Sequence, residues 1–335
     1  MGQRTSGSLK QSRAAQVSAT GSEAETNYKK TMKNSQSEFI QIRGLRYHIR
    51  RWGAPDAPLL FMLHGWMDVS ASFQFVVDQL SQEWQVIAPD WRGFGLTQQG
   101  PADVYWFPDY LADLDAILQH YAGDEPVNLL GHSMGGNVAG TYAGVRPDRI
   151  RKLINLEGFG LAITQPDQAP LRYANWLDAL QTRPTMQSYP TQAAVAARLQ
   201  KNNPRLTAAR ADYLSRYWAA ETAPGKWEIL GDPAHKLINP VLSKVDEMLA
   251  CWRRITAPVL CVEAAESNIW QWTGGMAVMR AEIDRRIACI NNVRFVTVAD
   301  AGHMLHHDQP QLLAAMIEEF FGGPIVLTLP VASAV

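Results

Sequence analysis

The chain reads as an α/β protein, with a mostly parallel central sheet flanked by helices and a helical cap inserted into it. Three observations predict this. Short runs that are apolar throughout alternate with amphipathic stretches, as strands covered on both faces alternate with helices. Each run ends in a loop containing Gly, Asp, Glu or His. One interval of roughly a hundred residues then breaks the alternation, far longer than an ordinary connection.

Taken in order, residues 1–37 are polar, rich in Ser, Thr, Lys and Gln, and read as a disordered tail without the apolar stretch of a secretory signal. Its opening, Met1-Gly2-Gln3-Arg4-Thr5-Ser6, formally matches the myristoylation pattern through Gly2 and Ser6. Phe39–Ile42 and Tyr47–Arg50 alternate around Arg43-Gly44, as an antiparallel hairpin does. The apolar runs follow at Leu59–Leu63, Gln85–Ala88, Val127–Leu130, Leu153–Leu156, Val259–Val262 and Arg294–Val298. Helical patterns between them cover Ala71–Leu80, Tyr110–Tyr121, Gly135–Val145, Gly275–Ile290 and Gln309–Phe320. The core is thus expected over 38–157 and 258–325, and the cap over 158–257. The cap shows helical patterns at Leu171–Leu180, Thr191–Lys201 and Leu206–Trp218, no convincing strand, and a concentration of aromatic residues. Within it, Trp227–Pro233 reads only as a turn.

Composition narrows the partners. The 335 residues carry 31 Lys+Arg against 32 Asp+Glu, a net charge of −1, which leaves no electrostatic footprint for nucleic acid. No apolar run is long enough to span a bilayer. A small, neutral or apolar substrate fits better, in a largely apolar pocket of modest size beneath the cap. Cys251, Cys261 and Cys289 have neither disulfide-framework nor metal-ligand spacing; they read as buried small hydrophobes and suit a reducing, cytoplasmic compartment. No metal or organic cofactor is implied.

The chemistry concentrates in Gly131-His132-Ser133-Met134-Gly135, a G-x-S-x-G turn between an apolar strand and a helix with small residues. Such a turn holds a serine exposed at the end of its strand. A serine hydroxyl needs a base to attack at neutral pH. Ala299–His303, after the last strand, supplies His303. His64 and His132 read as loop-shaping, and His306 and His307 as solvated. The acid has two candidates. Glu266 lies in the loop after Val259–Val262, one position from where an Asp is looked for; Glu157 ends the run Leu153–Leu156 beside the nucleophile strand. Glu157 is favoured, because a buried carboxylate there can fix the tautomer of His303. Backbone N–H groups of Met134 and of Trp66, in Leu63–Asp68, are placed for an oxyanion, with the Trp66 ring a candidate pocket wall. Asp90 and Arg92 read as a structural loop.

The motifs His64-Gly65-Trp66-Met67-Asp68 with Ser72-Phe73, Gly131–Gly136, and Leu156-Glu157-Gly158-Phe159 resemble those of the α/β-hydrolase superfamily, and in particular its serine hydrolase-like branch. That branch often lacks a good acid after the later strand and carries one before the cap, which adds support to Glu157. The resemblance spans about Phe39 to Phe321 and implies a mechanism without a defined substrate. A serine at position 133 argues against relatives with Asp there, such as haloalkane dehalogenases and epoxide hydrolases. The leading expectation is a carboxylesterase-like serine hydrolase working through an acyl-enzyme. The alternatives are C–C bond hydrolysis, lactone opening or perhydrolysis on the same residues, or a binding protein that keeps the fold without turnover.

Overall fold

A computed structural model describes residues 32–268 and 276–322. The myristoylation match, nearly all of the predicted tail, Gly275 and the last residues assigned to the core lie outside them.

Eight strands form the central sheet. They are β1 (Ser35–Ile42), β2 (Leu45–Trp52), β3 (Leu59–Leu63), β4 (Gln85–Pro89), β5 (Val127–His132), β6 (Ile150–Leu156), β10 (Val259–Ala264) and β11 (Val293–Val298). Their order is β1-β2-β4-β3-β5-β6-β10-β11. β1 pairs antiparallel with β2, and β2 with β4; β3, β4, β5, β6, β10 and β11 run parallel. Arg43 and Gly44 both take positive φ (47° and 84°), the two-residue hairpin turn whose twist matches the strands.

The first strand starts earlier than its composition suggests. Ser35 to Ser37 lie in β1, not in a disordered tail, because polar partners meet them on the neighbouring strand. The Arg50 guanidinium donates to Ser35 Oγ at 2.9 Å, and His48 Nε2 lies 3.0 Å from Ser37 Oγ.

The apolar runs are explained by burial on both faces. Along β3, Phe61 and Leu63 pack into one core while Leu60 and Met62 pack into the other. Helices α2 (Phe107–Ala122), α3 (Met134–Val145) and α8 (Met276–Ile287) cover the first face through residues such as Leu114, Tyr142 and Ile283. Helices α1 (Gln74–Val77) and α10 (Pro310–Gly322) cover the second through Val77, Leu313 and Phe321.

The long interval between β6 and β10 holds α4 (Ala169–Gln181), β7 (Ser188–Tyr189), α5 (Gln192–Asn202), α6 (Ala208–Trp218), β8 (Ala219–Ala223), β9 (Lys226–Ile229) and α7 (Val245–Trp252). It is not purely helical. β7, β9 and β8 make a small antiparallel sheet, missed because its strands are short and carry charged residues such as Glu221, Lys226 and Glu228. Nor is all of it remote from the main core. Trp252 of α7 is fully buried beside α3, where a Cβ on Gly144 would lie 1.9 Å from the Cys251 carbonyl oxygen.

The turn after β9 turns out to be a fastening. Phe94 and Gly231 form a bridge, the Gly95 N–H donates to Leu230 O at 2.8 Å, and the Asp232 N–H donates to Gly93 O at 2.7 Å. The His235 ring then lies stacked between Phe94 and Tyr105, each ring centroid 3.7 Å away. Burial pushes the His235 imidazole down to about 3, so the sandwich holds a neutral ring.

Candidate active site

The C-terminal ends of β3, β5 and β6 and the loop after β11 converge on one point. Ser133 leaves β5 with φ 51° and ψ −114°, a conformation that costs of order a kcal/mol or more for a residue with a side chain and that lifts its hydroxyl out of the chain. Two glycines permit it. A Cβ on Gly131 would lie 2.4 Å from Gly135 O, and one on Gly135 would lie 2.2 Å from Leu63 O. The strand, the helix and the loop after β3 therefore touch through bare backbone.

His303 Nε2 lies 3.0 Å from Ser133 Oγ, and His303 Nδ1 lies 3.1 Å from Glu157 Oε2. Glu157 extends β6 by one residue in a left-handed conformation, φ 57°, with its N–H donating to Val262 O at 2.9 Å. Asn155 closes the turn behind it, accepting from and donating to the Gly158 backbone. The Glu157 side chain is fully buried. Its Oε1 accepts the Ala264 N–H at 2.7 Å, and its Oε2 accepts the Ser267 hydroxyl. A buried carboxylate with three donors around it is held in one orientation.

Glu266 stands elsewhere. Its side chain is about half exposed and pairs with Arg205, while its N–H donates to Ala301 O. The position looked for in the β10 loop is Ser267, which donates to Glu157 instead of presenting a carboxylate of its own.

The loop after β3 runs directly against the nucleophile turn: a Cβ on Gly65 would lie 3.2 Å from Ser133 Cβ. His64 shapes this loop as expected. Its Nε2 accepts the Trp91 N–H at 2.9 Å, which leaves Nδ1–H to donate to Gly65 O at 2.7 Å, and burial lowers its pKa. Met134 is the first residue of α3, where a backbone N–H has no intrahelical acceptor. Trp66 is 54% exposed and does not line the cavity at Ser133. Asp90 accepts from His48, Ser70 and Leu96, and Arg92 pairs with Asp113, so both serve the framework.

A cavity of about 330 Å³ opens on Ser133 and His303. Phe159, Leu161 and Ile163, just after β6, form one wall, and Met279 and Ile283 of α8 form another. Glu282 and Arg286 also reach it, so the lining is not wholly apolar. Apart from Phe159, the aromatic residues of 158–257 do not line it: Trp218 Nε1 donates to Met67 O, and the Tyr213 hydroxyl to Gln74 Oε1.

Two further histidines depart from expectation. His306 and His307 are 0% and 4% exposed, not solvated. They begin the single-turn helix α9 (Leu305–Asp308), and their rings turn inward against Phe73 and Phe75. Ser72 Oγ lies 2.5 Å from His307 Nε2, which replaces water for that ring. Of the cysteines, Cys261 is buried, while Cys251 and Cys289 are partly exposed. No helix among the described residues is long and apolar enough to cross a membrane.

A family model described as the α/β hydrolase fold matches residues 58–310, and the chain belongs to that family. Within it, the chain is similar to proteins named serine hydrolase-like. One from Danio rerio is 25% identical over 308 residues, covering 87% of this chain and 90% of that protein. One from Dictyostelium discoideum is 24% identical over 317 residues, covering 88% and 84%. Among solved structures, a thioesterase domain from the curacin biosynthetic pathway superposes with a TM-score of 0.73 at 24% identity, over 85% of this chain and 99% of that one.

Proposed function

We propose that the protein hydrolyses an ester or related acyl substrate through an acyl-enzyme on Ser133. The observation that carries this reading is the hydrogen-bonded series Ser133 Oγ, His303 Nε2, His303 Nδ1 and Glu157 Oε2, at the floor of a cavity. Ser133 Oγ attacks the acyl carbon while His303 Nε2 takes its proton. The carbonyl oxygen becomes an oxyanion held by the Met134 and Trp66 N–H groups. Collapse expels the alcohol, which leaves with the proton from His303. Water then gives a proton to His303 and attacks the acyl carbon, and the acid departs as Ser133 recovers its proton. Glu157 keeps Nδ1 protonated and stabilises the imidazolium in both halves.

The test is intact mass after treatment with a fluorophosphonate, followed by peptide mapping. One adduct on Ser133, absent from Ser133→Ala, is expected. Folded protein that takes no adduct overturns the reading and favours a binding role.

A further inference from the structure

Behind the nucleophile turn lies a second cluster that the proposed hydrolysis does not use. We infer that Asp68, His132 and His306 bind one divalent transition-metal ion of the zinc class. The three come from the loop after β3, the end of β5 and α9, so no local spacing in the sequence announces them. Each offers a ligand atom, and the three atoms lie within 4.8 Å of one another. All three residues are more than nine-tenths buried, at 7%, 2% and 0% exposure.

Hydrogen bonding leaves the donors ready. Asp68 Oδ2, His132 Nδ1 and His306 Nδ1 are buried without a hydrogen-bond partner. The His306 ring faces the carboxylate, with Nε2 3.6 Å from Oδ2. His132 Nε2 lies 2.7 Å from the His303 carbonyl, an acceptor only, so the ring proton sits on Nε2 and the Nδ1 lone pair is open. A ligating histidine ordinarily donates its other N–H to a carbonyl in this way. The same nitrogen, His306 Nε2, also lies 3.3 Å from Ser72 Oγ. A carboxylate oxygen that meets only the His306 ring at 3.6 Å and an imidazole nitrogen without a hydrogen bond thus lie in one buried cluster, and a cation satisfies both at once. Two imidazoles and a carboxylate with open positions suit zinc or another late first-row ion. Bond lengths of about 2.0–2.1 Å set tetrahedral ligands roughly 3.4 Å apart, so the side chains draw in by about an ångström on binding.

The position gives the ion a consequence. His132 adjoins Ser133, and its other nitrogen holds the backbone of His303. Drawing His132 towards an ion shifts both, so occupancy slows turnover.

The test uses full-length protein stripped with a chelator. Zn²⁺ is titrated against a chromophoric competitor, and Co²⁺ is followed by its visible ligand-field absorption. One equivalent is expected, with affinity at least about tenfold weaker in Asp68→Asn and His306→Gln and retained in His303→Ala. Should Asp68→Asn fail to fold, judged by circular dichroism, His306→Gln decides. No Zn²⁺ binding at millimolar concentration overturns the inference and leaves a water in the cluster. So does affinity lost in His303→Ala but kept in the other two, which assigns the ion to the Ser133–His303 pair. Because binding is the readout, either failure leaves the hydrolase reading intact.

Discussion

The ends of β6 and β10 are neighbours in the sheet, and each is followed by a glutamate within reach of the same corner, yet the two glutamates live in different worlds. Glu157 is buried, in a left-handed turn, with an N–H, a hydroxyl and an imidazole directed at its carboxylate. Glu266 is about half exposed and answered by one arginine. The β10 end has become the scaffold for the β6 end: Ala264 and Ser267 both donate to Glu157. What makes a carboxylate useful beside a histidine is fixed orientation and exclusion of water, and only one of the two has both.

The sharpest way to break this comparison is Glu157→Gln. An amide offers Nδ1 either the wrong partner or the wrong tautomer, and kcat on an ester should fall about 10³–10⁴-fold. A loss below tenfold would remove Glu157 from the proposed chemistry. Next, adding Ser267→Asp to that variant returns a carboxylate to the β10 end, and about 10- to 100-fold of the lost rate should come back if the site needs only a charge near Nδ1. No recovery would show that the left-handed β6 end supplies a geometry its neighbour cannot. Ser267→Ala alone removes one hydrogen bond to a charged group, worth about 1.5–3 kcal/mol, while the Ala264 N–H remains. Its kcat/KM should drop about tenfold, measured with unchanged folding by circular dichroism. Glu266→Gln is the smallest effect. It opens an exposed ion pair worth about 0–1 kcal/mol, so the rate should stay within about twofold and the melting temperature should move by only a few degrees.

The sheet was legible because its parallel strands are buried on both faces, so that runs such as Leu59–Leu63 are apolar without alternation. Ser133 and His303 were legible because a strained turn demands glycines at fixed offsets and the histidine follows the last strand. Glu157 was harder. Its selection depends on Ser267 and Ala264, more than a hundred residues away, and on a φ of 57° that no residue type announces. Ser35 to Ser37 and the burial of His307 share another reason: polar residues there are satisfied by partners on other elements, and composition alone reads them as exposed. The turn Trp227–Pro233 was visible as a pattern, but its meaning lay in Gly93, Phe94 and Gly95 across the chain, which pair with Leu230, Gly231 and Asp232.

Ser133 and Glu157 sit on a single strand–helix–strand unit, and the long insertion leaves the sheet immediately after it. The proposed nucleophile and acid are therefore committed before the chain departs, and only His303 waits for its return. In engineering terms the segment between Gly158 and α7 is an exchangeable cassette, with α7 kept because Trp252 and Cys251 pack against α3. A lineage could lengthen, shorten or replace it, reshaping the wall made by Phe159, Leu161 and Ile163, without asking the carboxylate to move.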